Sequence, residues 1–176
     1  SVAAGRPGER ELWVVWEDPA HIDLAVGQIG YTADRPFMAI SGDTAHIVYH
    51  AKLEGEWNHT VEVATCSADP IVCADGWTHE PVSDGLGNAQ HASVVVSGKE
   101  QYVVYEQDGV VMLASRCEGA LGWTVEPVDG AAGVESVKTA KTPLAISDLS
   151  VHVAYVRDNG ADAAARWAYR PRLTCY

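Results

Sequence analysis

The 176 residues suffice for one well-buried domain and are short for two. A composition of 47% hydrophobic and 20% charged residues is that of a globular chain, not a disordered one. The formal charge of −12, from 12 Lys plus Arg against 24 Asp plus Glu, argues against nucleic-acid binding and against docking on anionic membranes; no apolar run approaches the roughly 18–20 residues of a membrane span.

Residues 1–10 read as an N-terminal extension, and residues 11–176 as a single repeat domain. Glu11–Glu17 and His21–Val26 have the apolar runs of a second and third strand, with no opening strand before them. A complete unit follows: Phe37–Ser41, His46–His50, Thr60–Cys66, then a strand led by Trp77. The next unit repeats that order with Ser93–Val96, Tyr102–Tyr105, Val110–Cys117 and a strand led by Trp123. Pro143–Ser147 and Val151–Tyr155 open a further unit. Ala161–Tyr169 has the intrinsic propensity of a helix but the repeat position of a third strand, and the repeat decides for strand.

The two complete units share the pattern W-T-x-E-P-V followed by D-G, and 123 − 77 = 46 residues separate the copies. The anchors Trp16, Tyr49, Tyr105 and Tyr155 recur with loops of varying length between them. Dipeptides such as Asp108-Gly109 and Gly42-Asp43 make the turns of hairpins. Several strands, among them Val94-Val95-Val96 and Val103-Val104, are nearly continuous in apolar residues, as expected of a sheet covered on both faces. A four-stranded unit recurring every 40–50 residues or so predicts an all-β, β-propeller-like array of antiparallel blades. About four units are expected, the terminal ones incomplete, so the chain either closes on itself or is completed by another chain or a second copy.

Cys66, Cys73, Cys117 and Cys175 form an even set without zinc-type spacing, which favours two disulfides and an oxidising location, secreted or periplasmic. Three pairings are open to four cysteines; Cys66 and Cys117 close equivalent strands, and this favours Cys66–Cys73 and Cys117–Cys175.

The candidate binding residues are aromatic. Trp77 and Trp123 belong to the repeat and are expected between blades, which leaves Trp13, Trp57 and Trp167 as candidate ligand contacts. His46 and His50 stand too far apart on one strand to share a metal, whereas His50 and His59 face each other if a hairpin joins them. Asp75, Asp84, Asp108 and Asp129 each precede Gly; calcium is one use of such oxygens, but no D-x-D-x-D-G run is present and tight turns explain them. No cofactor, metal site or catalytic residue is expected, and the motifs of α/β-hydrolases, P-loops, dinucleotide-binding folds and zinc proteases are absent.

The segments Pro143-Leu-Ala-Ile-Ser147, Ala45-His-Ile-Val-Tyr49 and Gly122-Trp-Thr-Val-Glu-Pro-Val128 resemble the repeats of bacterial sialidase-like, BNR-type propellers over roughly residues 10–170. The resemblance implies the propeller architecture. That family's Asp-box, S-x-D-x-G-x-x-W, is compressed here to Ala74-Asp75-Gly76-Trp77 and lacks its Asp before Trp123. The arginine cluster and Tyr–Glu pair that sialidase activity implies have no matching motif. The expected function is recognition, of a protein partner or a glycan, through loops at one end of the blades. The alternatives are a glycosidase-like propeller, or a fragment of one, and a self-assembling structural subunit.

Overall fold

A computed structural model describes residues 2–5, 11–15, 23–28, 34–51, 58–67, 77–128, 136–158 and 163–176. All described regular structure is antiparallel sheet. The first sheet holds β1 (Val2–Gly5), β2 (Glu11–Val15) and β3 (Asp23–Gln28). The second holds β4 (Asp34–Ser41), β5 (Thr44–Ala51), β6 (Thr60–Ser67) and β7 (Thr78–Pro81). The third is built from β8 (Ala89–Ser97), β9 (Glu100–Gln107), β10 (Val110–Cys117) and β11 (Thr124–Pro127). The fourth comprises β12 (Ser136–Ile146), β13 (Ser150–Asp158) and β14 (Ala163–Pro171). Within each sheet the strands lie in chain order, as a meander of hairpins.

Two of these strands bear on the sequence expectations. Val2–Gly5 lies inside the stretch expected as an extension, yet pairs with β2 from Val2↔Val15 to Gly5↔Leu12, giving the first sheet its opening strand. Ala163–Pro171 is extended and pairs with β13 along its whole length. Its alanines would suit a helix, but cross-strand pairing and burial beside Val153 outweigh a fraction of a kcal/mol per residue of propensity.

The sheets stack face to face in a propeller-like array. β4 lies beside β8, and β8 beside β12, so the first strands are innermost and the fourth strands are outermost. Between the second and third sheets, Val48, Val61 and Val63 pack with Val94, Val103 and Tyr105. Between the third and fourth, Tyr102, Val104, Val111 and Leu113 pack with Val151, Val153 and Tyr155. Successive residues of β9 therefore enter opposite clusters, which is why Gln101–Glu106 are all buried and why that strand could not alternate apolar with polar. Each such valine or tyrosine contributes about 1.5–3 kcal/mol by leaving water.

The repeated W-T-x-E-P-V motif acts between sheets. Glu80 of β7 is ion-paired with Arg116 of β10, and Glu126 of β11 with Arg170 of β14 at 2.8 Å. In both cases the motif carboxylate of one sheet meets an arginine on the third strand of the next. Arg116 also lies over the Trp123 ring at 4.3 Å, and Arg170 reaches the carbonyls of Pro127 and Val128. Exposure of the carboxylates limits each pair to a few tenths of a kcal/mol, so the arginines fix the stacking geometry more than they stabilise it.

Beyond β14 the chain crosses the β8–β9 turn. Arg172 pairs with Glu100 at 2.8 Å, Leu173 N–H donates to the Tyr102 hydroxyl, and Cys175 is bonded to Cys117 across 5.6 Å between Cα atoms. The Arg172 hydrogen bond holds the Glu100 carboxyl below the usual range. Cys66 is also disulfide-bonded; Cys73 lies outside the described residues. The Cys117–Cys175 link closes 58 residues of chain and removes on the order of 4 kcal/mol of unfolded-state entropy.

His46 is buried on the second sheet, and its Nδ1 has no hydrogen-bond partner among the described residues. Burial lowers its pKa from the usual 6.5, Arg116 lowers it further, and Glu118 opposes them. Its folded pKa is below its unfolded one, so below pH 6.5 the unfolded chain binds a proton that the fold refuses. Stability is accordingly lost as pH falls from 6.5 toward the lowered value. In urea titrations from neutral to mildly acidic pH, His46→Phe is expected to lose less stability than the parent. Parallel losses would show that His46 does not carry this dependence.

Candidate functional site

Each of the last three sheets breaks register in its first hairpin, between Asp34 and Phe37, between Gln90 and Ser93, and between Thr139 and Leu144. A bulge frees a residue from the ladder and re-aims it. In the third sheet the bulge contains His91, whose φ of 56° is costly for a residue with a Cβ.

Neighbouring side chains hold it there. Ala92 N–H donates to Nε2 of His50 at 3.1 Å, so that nitrogen is unprotonated and the neutral ring carries its proton on Nδ1. His50 is a buried β5 residue, so the second sheet clamps the bulge of the third. On the other side, His91 Nδ1 lies 3.2 Å from Oε2 of Glu106, a buried carboxyl on β9.

His59 completes the group. Its backbone N–H and its ring Nδ1 lie 3.1 and 3.0 Å from Asn88 Oδ1, and its carbonyl accepts from Ala89 N–H at 2.8 Å. Asn88 N–H in turn donates to Asp108 Oδ1 at 3.0 Å. Asp108 and Gly109, with φ of 51° and 83°, form a two-residue hairpin turn that needs left-handed backbone at both positions. Gly87 is required beside it, since a Cβ there would collide with the Asp108 carboxylate. The His50 ring sits 6.5 Å from that of His59 and 6.4 Å from that of His91, edge-on to both.

One end of the second and third sheets thus gathers three imidazoles, the amide of Asn88 and the carboxylates of Glu106 and Asp108. Among the described residues no three His, Cys, Asp or Glu side chains are arranged to hold a metal ion. Imidazoles beside carboxylates offer donors and acceptors to a ligand bearing hydroxyl groups. Alongside, burial pushes the Tyr105 phenol up to about 12, with Asp84 adding to the effect, so it remains a neutral hydroxyl.

The sequence candidates are dispersed. Trp13 lies in β2, paired with Ala4 and Ala25, on the first sheet. Trp57 lies outside the described residues. Trp167, on β14, is 63% exposed, with the His152 ring stacked at 5.6 Å and an 8° interplanar angle and Tyr169 at 5.5 Å. Asp84 accepts a turn hydrogen bond from Leu86 N–H, and Asp108 one from Asn88 N–H, 20 residues away in sequence, while Asp75 and Asp129 lie outside the described residues.

His50 and His59 do meet, as a hairpin connection implies, but His91, Asn88 and Glu106 escape a reading of the sequence. One signal was present: Arg35, His91 and Lys141 each stand six residues before a serine at or just past the end of a first strand (41 − 35, 97 − 91, 147 − 141). Each falls within the break in register of a first strand.

No family model and no curated protein matches this sequence. Among solved structures, the chain is similar to the Bacteroides ovatus xyloglucan PUL protein GH43B, at 12% identity with a TM-score of 0.50, over 80% of this chain and 29% of that one. It is also similar to a mutant of the GH43 protein BlXynB from Bacillus licheniformis, at 12% identity with a TM-score of 0.52, over 92% of this chain and 37% of that one. The likeness is one of fold. The chain spans about a third of the length of these proteins.

Replacing His50 by Phe keeps an aromatic ring but removes the acceptor, stranding the buried Ala92 N–H. His50→Phe is expected to lower stability by about 1–3 kcal/mol in urea denaturation. A variant as stable as the parent would mean that His50 does not hold the bulge.

Proposed function

We propose that this chain is a carbohydrate-interacting segment of a glycoside-hydrolase-like propeller, contacting glycan at the bulged strand end around His91. The observation that carries the reading is the fold likeness to two GH43 proteins over 80% and 92% of the chain, one of them tied by name to xyloglucan. The polar end described above supports it. In stacked-sheet folds, the strand ends and their loops present ligand-binding groups on a rigid scaffold. His91 is held in a costly conformation by His50, an arrangement that preorganises a ring at a site edge.

Binding without turnover and hydrolysis are two forms of this reading. Hydrolysis needs two carboxyl groups flanking a glycosidic bond; Glu106 is one candidate, and the Glu106–His91 contact provides for proton exchange. Binding alone needs only the donor–acceptor surface.

The test titrates the disulfide-intact protein with xyloglucan oligosaccharides by calorimetry and assays reducing-sugar release in parallel. Saturable binding, weakened about tenfold in His91→Ala through loss of a hydrogen-bonding group, is the expected result. Sugar release that also disappears in Glu106→Gln would select the hydrolytic form. No binding to xyloglucan or to a panel of other plant and bacterial glycans would overturn the proposal.

A further inference from the structure

The face of the second sheet that meets the third is built from alternate residues of β5. Val48 enters the cluster shared with Val94 and Val103. β5 pairs with β6 without a break from Thr44 to Ala51, so His46 and His50 lie on that same face, one to either side of Val48. Both are buried, at 4% and 3% exposure. Their counterparts on β9, three residues before and one after the anchor Tyr105, are Tyr102 and Glu106. Two imidazoles therefore flank the junction of the second and third sheets, at positions where β9 offers the fourth sheet none.

Each of these rings has to be neutral for the sheets to close. Nε2 of His50 accepts from the buried Ala92 N–H at 3.1 Å; a proton there removes the acceptor and sets two donors against each other. The rings of His59 and His91 lie 6.5 and 6.4 Å away, so protonated rings at this end repel one another. The Glu106 carboxylate of β9 meets the His91 ring, and Asp34 of β4 is the cross-strand neighbour of His50. Their negative charge moderates that repulsion without restoring an acceptor to the Ala92 N–H. At the other flank, burial and then Arg116 of β10 disfavour a proton on His46, against Glu118, and Arg116 is itself paired with Glu80 of β7.

We propose that His46 and His50 form a pH-operated latch, closing the second sheet on the third when both rings are neutral and releasing that junction in mild acid. The open junction takes up protons that the closed one refuses, so acid favours opening. The junction of the third and fourth sheets is insulated from this change. There the Tyr102 hydroxyl and the Glu100 carboxylate, which Arg172 holds below the usual range, keep their protonation states in mild acid. His50 also holds the bulge that carries His91, so the latch sets how that ring is presented; this consequence rests on the glycan reading above, whereas the latch itself does not.

Amide hydrogen exchange on the disulfide-intact chain tests the latch, followed from neutral pH to about pH 5 and corrected for the intrinsic rate at each pH. Two amides report the two junctions: Ala92 N–H, donated to His50, and Leu173 N–H, donated to the Tyr102 hydroxyl at 2.7 Å. Protection of Ala92 is expected to fall about tenfold or more across this range, as loss of a buried hydrogen bond implies, and that of Leu173 to fall much less. His50→Gln keeps an acceptor at similar reach with no proton to gain, and His46→Phe removes the second ring. The double variant is expected to hold Ala92 protection level throughout. Protection of Ala92 that falls no faster than that of Leu173 overturns the proposal, as does a fall that persists unchanged in the double variant. The parent alone supplies a further check through the ring nitrogens of His50, whose NMR shifts should report neutral imidazole wherever Ala92 is protected. A protonated His50 ring beside a protected Ala92 amide overturns the latch.

Discussion

The burial of both faces of the third sheet is the constraint on which the rest depends. Successive side chains of a strand point to opposite faces, so a strand covered on one side alternates and a strand covered on both does not. Gln101–Glu106 are buried without a break because Val103 and Tyr105 serve one interface while Tyr102 and Val104 serve the other. The hydrophobic driving force is non-directional and does not itself choose a stacking angle. That choice falls to directional contacts at the outer strands: Glu80 with Arg116, Glu126 with Arg170, and the Arg116 guanidinium over Trp123. A single sequence motif thereby does the same work at two successive junctions.

The polar end follows from that stacking. His50 reaches the Ala92 amide only because the second sheet is pressed against the third, and only because β8 is bulged at that point. Three imidazoles then lie together without a metal-binding arrangement among the described residues, and two of their nitrogens already serve backbone or amide partners. The same geometry that stabilises the array thus fixes the orientation of the groups proposed to meet a glycan.

The architecture was legible in the sequence where the information was local or periodic. W-T-x-E-P-V at an offset of 46 residues marked the fourth strands, apolar runs marked the doubly covered second strands, and repeat position outweighed alanine propensity at Ala163–Pro171. Val2–Gly5 was missed because a four-residue strand of small side chains has no periodicity to detect, and it becomes a strand through its pairing with β2. The site was largely illegible. His50 and His91 are 41 residues apart (91 − 50), and their association depends on one sheet stacking on another. Aromatic residues offered the more visible clue and pointed elsewhere: Trp167 lies on the fourth sheet, 63% exposed.

Native-state hydrogen exchange is the most direct test of the claim that sheet stacking centred on β9 organises the molecule. The amides of Val103, Val104 and Tyr105 are predicted to exchange only through global unfolding, with the highest protection in the chain. Those of β11, exposed along its length, are predicted to exchange through local opening. Protection in β9 no greater than in β11 would contradict the account, because it would mean that the third sheet opens without unstacking its neighbours.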